Sequence, residues 1–246
     1  MGMEQIKVEI IDHMGTDLST VNSARVSFDK ESTWENWEAV EQPSAITGNT
    51  YAEPVLSNKD KGLIKYLADH KHLTPFRHNQ IQLRCHAPIF LARQLGKHQA
   101  GLSWNEVSRR YVDSEPEFFW PDEWRGRPEG SIKQGSHGIV KDIKHPEFDG
   151  SEHVAQFMNR KMKELSELYN SLLDSGIAPE MARMVLPQSM MTSWYWTGNL
   201  LAFAHVYKER IAEGAQLEAQ HFAKELDKVI RPLYPVSWSA LVGGEK

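Results

Sequence analysis

The strongest constraint on the fold is a change of hydrophobic period between residues 79 and 95. From Asn79 to His86, apolar residues alternate with polar ones. This period of two predicts a strand with one buried face. Pro88 then suits the first turn of a helix that continues through Leu95. The chain must therefore combine a sheet with helices.

The remaining periodicity places the sheet early and the helices late. An alternating segment at Ile6–Ile10 predicts a first strand. Helices are predicted at 18–28, 58–70, 153–173, 179–186, 197–213 and 215–230, with Gly176 as the stop of the long one. We expect an α+β fold with a mixed sheet and a helical C-terminal half. We further expect a single domain over residues 1–246, with loop insertions at 29–57 and 113–152.

Composition limits the class of partner. Of the 246 residues, 40% are hydrophobic, which is ordinary for a globular protein, and the net charge of -5 argues against a general polyanion binder. No apolar run is long enough for a membrane span, and the N-terminus does not resemble a signal peptide. The single cysteine, Cys85, fits a reducing compartment. We expect a cytoplasmic protein that binds neither membrane nor nucleic acid.

The densest polar cluster runs from Arg93 to Tyr111. Arg93 and Lys97 lie one helical turn apart and are expected to share a face. The segment from Ser103 to Arg110 is too polar for a core segment and is expected to form a loop. Cations, hydroxyls, an amide and one carboxylate together suit a nucleotide. The alternative is a solvated helix end with paired surface charges.

A second polar cluster comprises Arg183, Asn199, His205 and Arg210. Asn199 and Arg210 lie eleven residues apart, which would place them on one face of a predicted helix. Arg183 stands in an apolar context, where a buried cation needs an anion. The bound anion and an internal salt bridge to Glu180 or Glu218 are both open at this point.

Several familiar sites are disfavoured by the sequence. The histidines lack cysteine partners and metal-site spacing, so no metal site is expected. Cys85 falls on the buried face of a predicted strand and is expected to be a small buried hydrophobe. The sequence contains no G-x-G-x-x-G, G-x-x-x-x-G-K-[ST] or G-x-S-x-G motif. A dinucleotide would therefore need a site other than the Rossmann type.

The first cluster resembles the signature of flavin-dependent thymidylate synthases, R-H-R-x2-S-x-N-E-x-S-x-R. The second half matches in full from Ser103 to Arg110. The first half stands as Lys97-His98-Gln99, with both arginines changed and a spacer one residue longer. Gly101 could accommodate the resulting bulge.

Separate blocks of the chain resemble the same family in the same order. They stand at 17–28, 72–78, 87–94, 182–187, 196–199 and 210–216. The resemblance spans most of the chain, apart from the two expected loop insertions.

The resemblance implies an enzyme that methylates dUMP to dTMP. Methylenetetrahydrofolate would donate the carbon, and FAD reduced by NADPH would carry the hydride, without an enzyme cysteine as nucleophile. The resemblance also implies a homotetramer with active sites shared between subunits.

The same resemblance carries over a set of site residues. For dUMP they are Gln94, Lys97, Glu106, Ser108, Arg109, Arg110, Arg183 and Arg210, with Arg210 as the catalytic guanidinium. For FAD they are Ser27, His72, Thr74, Lys97, His98, Gln99, Glu106, Asn199 and His205. Two alternatives are a catalytically inactive nucleotide- or flavin-binding relative and a nucleic-acid-binding module that uses the basic and aromatic residues near Trp104.

Overall fold

The structure, a computed structural model, describes residues 2–35, 54–128, 135–144 and 150–243. The helices are α1 Asp17–Arg25, α2 Asn58–Asp69, α3 Ile89–Leu95, α4 Val154–Asp174, α5 Pro179–Ala182, α6 Leu200–Ile211, α7 Leu217–Ile230 and α8 Pro235–Val242. The strands are β1 Lys7–Met14, β2 Gln80–Pro88, β3 Leu102–Glu106, β4 Arg125–Gly126, β5 His137–Ile139, β6 Asp142–Lys144, β7 Ser151–His153 and β8 Met191–Asn199. The α+β class is confirmed.

The main sheet has four strands in the order β1-β2-β8-β3. All three pairings are antiparallel, which refines the expected mixed sheet. The strand β8 lies between β2 and β3, although the sequence analysis expects a helix to begin at Thr197 and places no strand in the C-terminal half. That expectation is wrong: residues 191–199 alternate, with Trp194 and Trp196 on the buried face and Tyr195 exposed. The helical half thus supplies a central strand of the sheet.

One face of the sheet packs against the C-terminal helices. Leu83 and Cys85 of β2 are fully buried, as the alternation predicts. Phe222 of α7 contacts both buried tryptophans of β8, with ring centroids 6.1 and 6.2 Å apart. Large aromatic side chains, among them Trp194, Trp196 and Phe222, belong to this core. The sheet therefore presents its core face to α6 and α7 and its polar face outward.

The signature segment is a strand and its flanking turns, where the sequence analysis expects a loop. Its strand, β3, is at the edge of the sheet and pairs with β8 alone in the described residues. Trp104 points inward and stacks on Trp194, with centroids 4.3 Å apart. Ser103 and Asn105 face outward and are exposed. An edge strand needs only one partner, so it tolerates a sequence this polar.

Helix boundaries agree with the capping chemistry. The helix α4 ends as predicted before Gly176, which has a φ of 81°. Asn199 is the N-cap of α6, and its Oδ1 accepts from the backbone N–H of Ala202 at 2.9 Å. Asn199 therefore precedes this helix, and the expectation that it shares a helical face with Arg210 is wrong.

The two expected insertions are partly described. Residues 36–53, 129–134 and 145–149 lie outside the described residues. Within 29–57, Glu35 and Val55 form an isolated antiparallel bridge. Within 113–152, two small hairpins pair β4 with β5 and β6 with β7. Across the described ranges, the helices lack the length and apolar character needed to cross a bilayer.

Candidate active site

A first cavity lies where α3 turns toward β3 and has a volume of about 850 Å³. Its polar lining includes five residues predicted from the sequence: Gln94, Lys97, His98, Gln99 and Glu106. Arg93 and Trp104 line it as well. Because α3 ends at Leu95, Lys97 stands in the turn beyond the helix, but it still shares this cavity with Arg93. The cavity thus gathers cations, amides and one carboxylate around an aromatic wall.

The lengthened spacer of the signature is a tight turn at Gly101. This glycine has a φ of 75°, as the expected bulge requires. A Cβ at this position would lie 2.6 Å from Nδ2 of Asn199. The turn therefore packs directly against the predicted flavin contact on the neighbouring strand.

Glu106 is held in place from two directions. Its Oε1 accepts from the hydroxyl of Thr192 at 2.9 Å, and its Oε2 accepts from Nε1 of Trp104 at 3.2 Å. Each donor fixes one carboxylate oxygen. The side chain is thereby oriented at the cavity wall while remaining exposed.

Arg210 contacts His98 at the end of α6. Its Nε and Nη2 lie 3.1 and 2.9 Å from Nε2 of His98. That nitrogen must accept, so the imidazole is neutral in this contact. Burial, followed by the charge of Arg210, lowers the pKa of His98, and the nearby His205 acts in the same direction. The geometry thus joins the catalytic candidate to one predicted flavin contact, His98, and places the charge of a second, His205, near it.

A second cavity adjoins the first along α3 and has a volume of about 1180 Å³. Gln94 and Lys97 line both cavities, and Arg210 lines the second. Arg125, Gln216 and Glu218 also line this cavity, and the sequence analysis does not place them in the site. The sequence signal that could have identified Glu218 was an acidic residue within the apolar stripe of a predicted helix. Its partner Arg125, however, stands 93 residues away in the chain. The site therefore draws on the segment expected to be an insertion.

The second half of the signature beyond β3 lies in a turn. Arg109 donates to the backbone carbonyl oxygens of Ser114 and Glu115. Nε of Arg110 donates to Oγ of Ser108 at 3.2 Å, and its guanidinium lies 4.9 Å from the ring centroid of Tyr111. Ser108, Arg109 and Arg110 are not among the described residues that line either cavity.

Six more predicted residues line neither cavity in the described structure: Ser27, His72, Thr74, Arg183, Asn199 and His205. Ser27, His72, Thr74 and Arg183 are all exposed. Nε of Arg183 donates to the backbone carbonyl of Glu180, while Glu218 pairs with Arg125. Neither salt bridge considered for Arg183 is therefore formed by the described residues.

Two further sequence-based expectations concern Cys85 and metals. Cys85 is fully buried, as predicted, and burial raises the pKa of its thiol well above the usual range. A thiol in this environment is a poor nucleophile. No group of three or more His, Cys, Asp or Glu side chains is placed to hold a metal ion in the part of the chain that the structure describes.

Comparison with known proteins places this geometry in a family. The family model described as thymidylate synthase complementing protein matches residues 9–236. A flavin-dependent thymidylate synthase from Thermosipho melanesiensis is 32% identical over 96% of this chain and 90% of that relative. A protein of the same name from Thermus thermophilus is 32% identical over 95% of this chain and 74% of its own length.

A solved structure has the same fold. The UMP/dUMP methylase PolB from Streptomyces cacaoi, crystallised with 5-Br dUMP, aligns with a TM-score of 0.72 and 30% identity. The alignment covers 96% of this chain and 93% of that structure.

Proposed function

The chain belongs to the flavin-dependent thymidylate synthase family, and from that premise we propose that it methylates dUMP to dTMP. In this proposal 5,10-methylenetetrahydrofolate donates the carbon, and the hydride comes from FAD reduced by NADPH. The observation that carries the proposal is the contact between Arg210 and His98, which joins the predicted substrate and flavin contacts at two adjoining cavities.

Arg210 is assigned the electrostatic step. Negative charge develops on the N3–O4 side of uracil as its C5 becomes nucleophilic, and a guanidinium stabilises it without titrating. Two of its five N–H groups face His98, so three remain for the substrate. His98 thus positions the guanidinium.

The remaining substrate contacts are assigned by charge and donor type. Arg110 and Arg183 offer forked donors for the 5′-phosphate, and Ser108 and Arg109 complete the phosphate side. The nucleoside part of dUMP is assigned to three residues that line the first cavity: Gln94, Lys97 and Glu106. The residues assigned to the phosphate, Ser108, Arg109 and Arg110, lie in the turn that follows Glu106 at the end of β3.

The first cavity fits a flavin in the chemistry of its lining. Lys97 and Arg93 supply positive charge for phosphates, His98 and Gln99 supply hydrogen bonds, and Trp104 supplies a flat apolar wall. A bound flavin supplies hydride transfer. Asn199 packs against the turn at Gly101, and the charge of His205 acts on His98. No protein thiol is required, which agrees with the burial of Cys85.

We also propose that the active site is shared within a homotetramer. The predicted FAD contacts Ser27, His72 and Thr74 and the phosphate ligand Arg183 are exposed and apart from the cavities of their own chain. They are therefore available to complete a site on another copy. Mixing inactive Arg183→Ala with inactive Arg210→Ala should restore partial activity if the two residues act from different subunits; no restoration at any mixing ratio would contradict sharing.

The test of the proposed function is flavin binding followed by a variant of Arg210. Purified protein should be yellow and should retain FAD after gel filtration. Arg210→Ala should abolish methylation, whereas Lys208→Ala, an exposed cation in the same last turn of α6, should keep it. A colourless protein that takes up no added FAD would reject the enzyme proposal and leave a nucleotide-binding relative as the alternative.

The neighbouring structure supports a second candidate substrate. PolB is named a methylase of both UMP and dUMP. We propose testing UMP beside dUMP under identical conditions. Methylation of UMP at a comparable kcat/KM would assign the chain a broader nucleotide specificity.

A further inference from the structure

A line of four hydrogen-bonded side chains forms part of the wall of the second cavity. It begins at Arg125 on β4, inside the segment 113–152 that was expected to be a loop insertion. It passes through Glu218 and Gln216 at the start of α7 and ends on Gln94 of α3. Only Gln94 among them belongs to the predicted substrate contacts.

The first link is a nearly buried ion pair. Nη2 of Arg125 lies 2.6 Å from Oε1 and 2.8 Å from Oε2 of Glu218, whose side chain is 3% exposed. Nε of Arg125 also donates to Oγ of Ser136 at 2.9 Å, which anchors the guanidinium on the neighbouring loop. Because a buried carboxylate needs a partner, this pair holds both side chains in one geometry.

The next two links run through amide groups. Nε2 of Gln216 donates to Oε2 of Glu218 at 2.9 Å. Nε2 of Gln94 donates to Oε1 of Gln216 at 2.6 Å. The Arg125 end and the Gln94 end are therefore connected by continuous hydrogen bonds.

The direction of these bonds is dictated by the carboxylate. Glu218 accepts from Arg125 at both oxygens, so Gln216 must turn its NH₂ group toward it. The carbonyl oxygen of Gln216 then faces Gln94, which must turn its own NH₂ group toward Gln216. The carbonyl oxygen of Gln94 has no hydrogen-bond partner among the described side chains and backbone groups, and it remains available to a ligand.

We propose that Arg125 is a positioning residue for nucleotide recognition, because through Glu218 and Gln216 it sets the amide of Gln94 to present its carbonyl oxygen. An acceptor at this place selects an N–H or O–H donor of the nucleotide, which is the base N3–H or a sugar hydroxyl, and not the phosphate. This inference rests on the proposed function, since it takes dUMP as the ligand of Gln94.

The test measures dUMP affinity of the flavin-loaded protein by calorimetry, so that no turnover is needed. Arg125→Ala should raise the Kd about tenfold, the cost of one hydrogen bond to a misoriented partner. KM should rise with Kd while kcat stays within about twofold, because the chemical step is not touched. Arg125→Lys should restore part of the affinity by keeping a cation beside Glu218.

A double-mutant cycle separates positioning from general stability. In the Gln94→Leu background, Arg125→Ala should cause no further loss of dUMP affinity, because the amide of Gln94 that ends the line of hydrogen bonds is already absent. Glu218→Gln keeps the size but can present either a donor or an acceptor to Gln216, so it should also weaken binding. Additive losses in the cycle would overturn the proposal.

The matched control is an ion pair on the same helix. Nη2 of Arg231 lies 2.6 Å from Oδ1 of Asp227, both side chains are largely buried, and neither lines a cavity in the described structure. Arg231→Ala should lower the melting temperature without changing the Kd for dUMP. If Arg231→Ala and Arg125→Ala raise the Kd equally, the effect is structural and the proposal fails.

Two nucleotide analogues identify the donor. The penalty of Gln94→Leu should vanish with N3-methyl dUMP if the base N–H is recognised, or with the 3′-deoxy analogue if the hydroxyl is. A full penalty with both analogues would overturn the proposed acceptor role. Wild-type protein that binds flavin but no dUMP would reject the proposed function and this inference with it, whereas wild-type binding with an unchanged Arg125→Ala variant would reject this inference alone.

Discussion

Replacing Gly101 with alanine should lower both stability and flavin affinity. Gly101 has a φ of 75°, and the added Cβ would lie 2.6 Å from Nδ2 of Asn199. Asn199 must then move, although its Oδ1 caps α6 through the N–H of Ala202. The substitution therefore strains the turn and disturbs a predicted flavin contact at the same time.

The expected magnitude has two parts. Left-handed backbone costs a non-glycine residue about 1 kcal/mol, and the loss of an N-cap costs about 1 kcal/mol more. In a chain of this size, about 1 kcal/mol shifts the melting temperature by roughly 2–4 °C. Gly101→Ala should therefore melt about 4–8 °C lower, measured by circular dichroism, with weaker FAD retention.

Two other glycines serve as matched controls. Gly176 has a φ of 81°, but a Cβ there meets nothing within 4 Å, so Gly176→Ala should lose only the backbone part, about 1 kcal/mol. Gly62 lies inside α2 with open space around it, and Gly62→Ala should stabilise by up to about 1 kcal/mol. Both variants should retain FAD.

Equal melting temperatures for the alanine variants at 101 and 176, together with unchanged FAD affinity, would refute the reasoning. That outcome would mean that Asn199 relaxes without cost. It would also remove the physical link between the longer spacer of the signature and the flavin site.

Three further predictions concern single side chains. Cys85→Ala should retain activity while losing about 1 kcal/mol of stability by urea unfolding, and loss of activity at full flavin content would return the mechanism to thiol catalysis. Because burial lowers the pKa of His98, the unfolded state takes up the proton first. The contribution of His98 to stability is full above about pH 6.5 and is lost as the pH falls through the folded pKa. His98→Asn should therefore reduce the loss of unfolding free energy between pH 7 and pH 5, measured by unfolding titrations. An equal loss in the variant and the wild type would contradict this prediction. Trp104→Phe keeps a ring against the core but removes the N–H donor to Glu106, so it should weaken FAD binding severalfold in a fluorescence titration while changing the melting temperature little.

Local patterns were sufficient for most of the helices and for β1 and β2. The alternation along β2 and the stripe along α4 both reflect burial of one face, which the sequence records directly. The strand β8 was not predicted, because its last residues continue directly into the apolar start of α6 and the two segments together resemble one long helix. The short α8, which begins at Pro235, was not predicted.

The polar strand β3 shows why composition alone misleads. Only its inward residues, such as Trp104, are apolar, because they contact the core. Its outward residues are polar and face solvent at the sheet edge. Its strand character comes from pairing with β8, which lies about ninety residues later in the chain. No window around residue 104 contains that information.

The sequence groups residues of one cavity only where they are close together in the chain, and the assigned site roles stay predictions. Nine of the residues between Arg93 and Glu106 line one cavity, as their sequence proximity suggests. The contact of Arg210 with His98 and that of Arg125 with Glu218 join distant segments. The resemblance to the family placed Arg210 at the site, but nothing in the sequence connected Arg125 to it. The assignment of the chain as a single domain stays a prediction.

The central claim is that this chain forms dTMP from dUMP through a bound flavin without an enzyme thiol. The most direct measurement is dTMP formation by the FAD-loaded Cys85→Ala variant, supplied with dUMP, methylenetetrahydrofolate and NADPH and followed by chromatography. We predict dTMP at a rate close to that of the wild type, with NADPH oxidation that depends on dUMP. An FAD-loaded Cys85→Ala variant that yields no dTMP beside an active wild type would contradict the claim, and so would FAD-loaded wild-type protein that yields none.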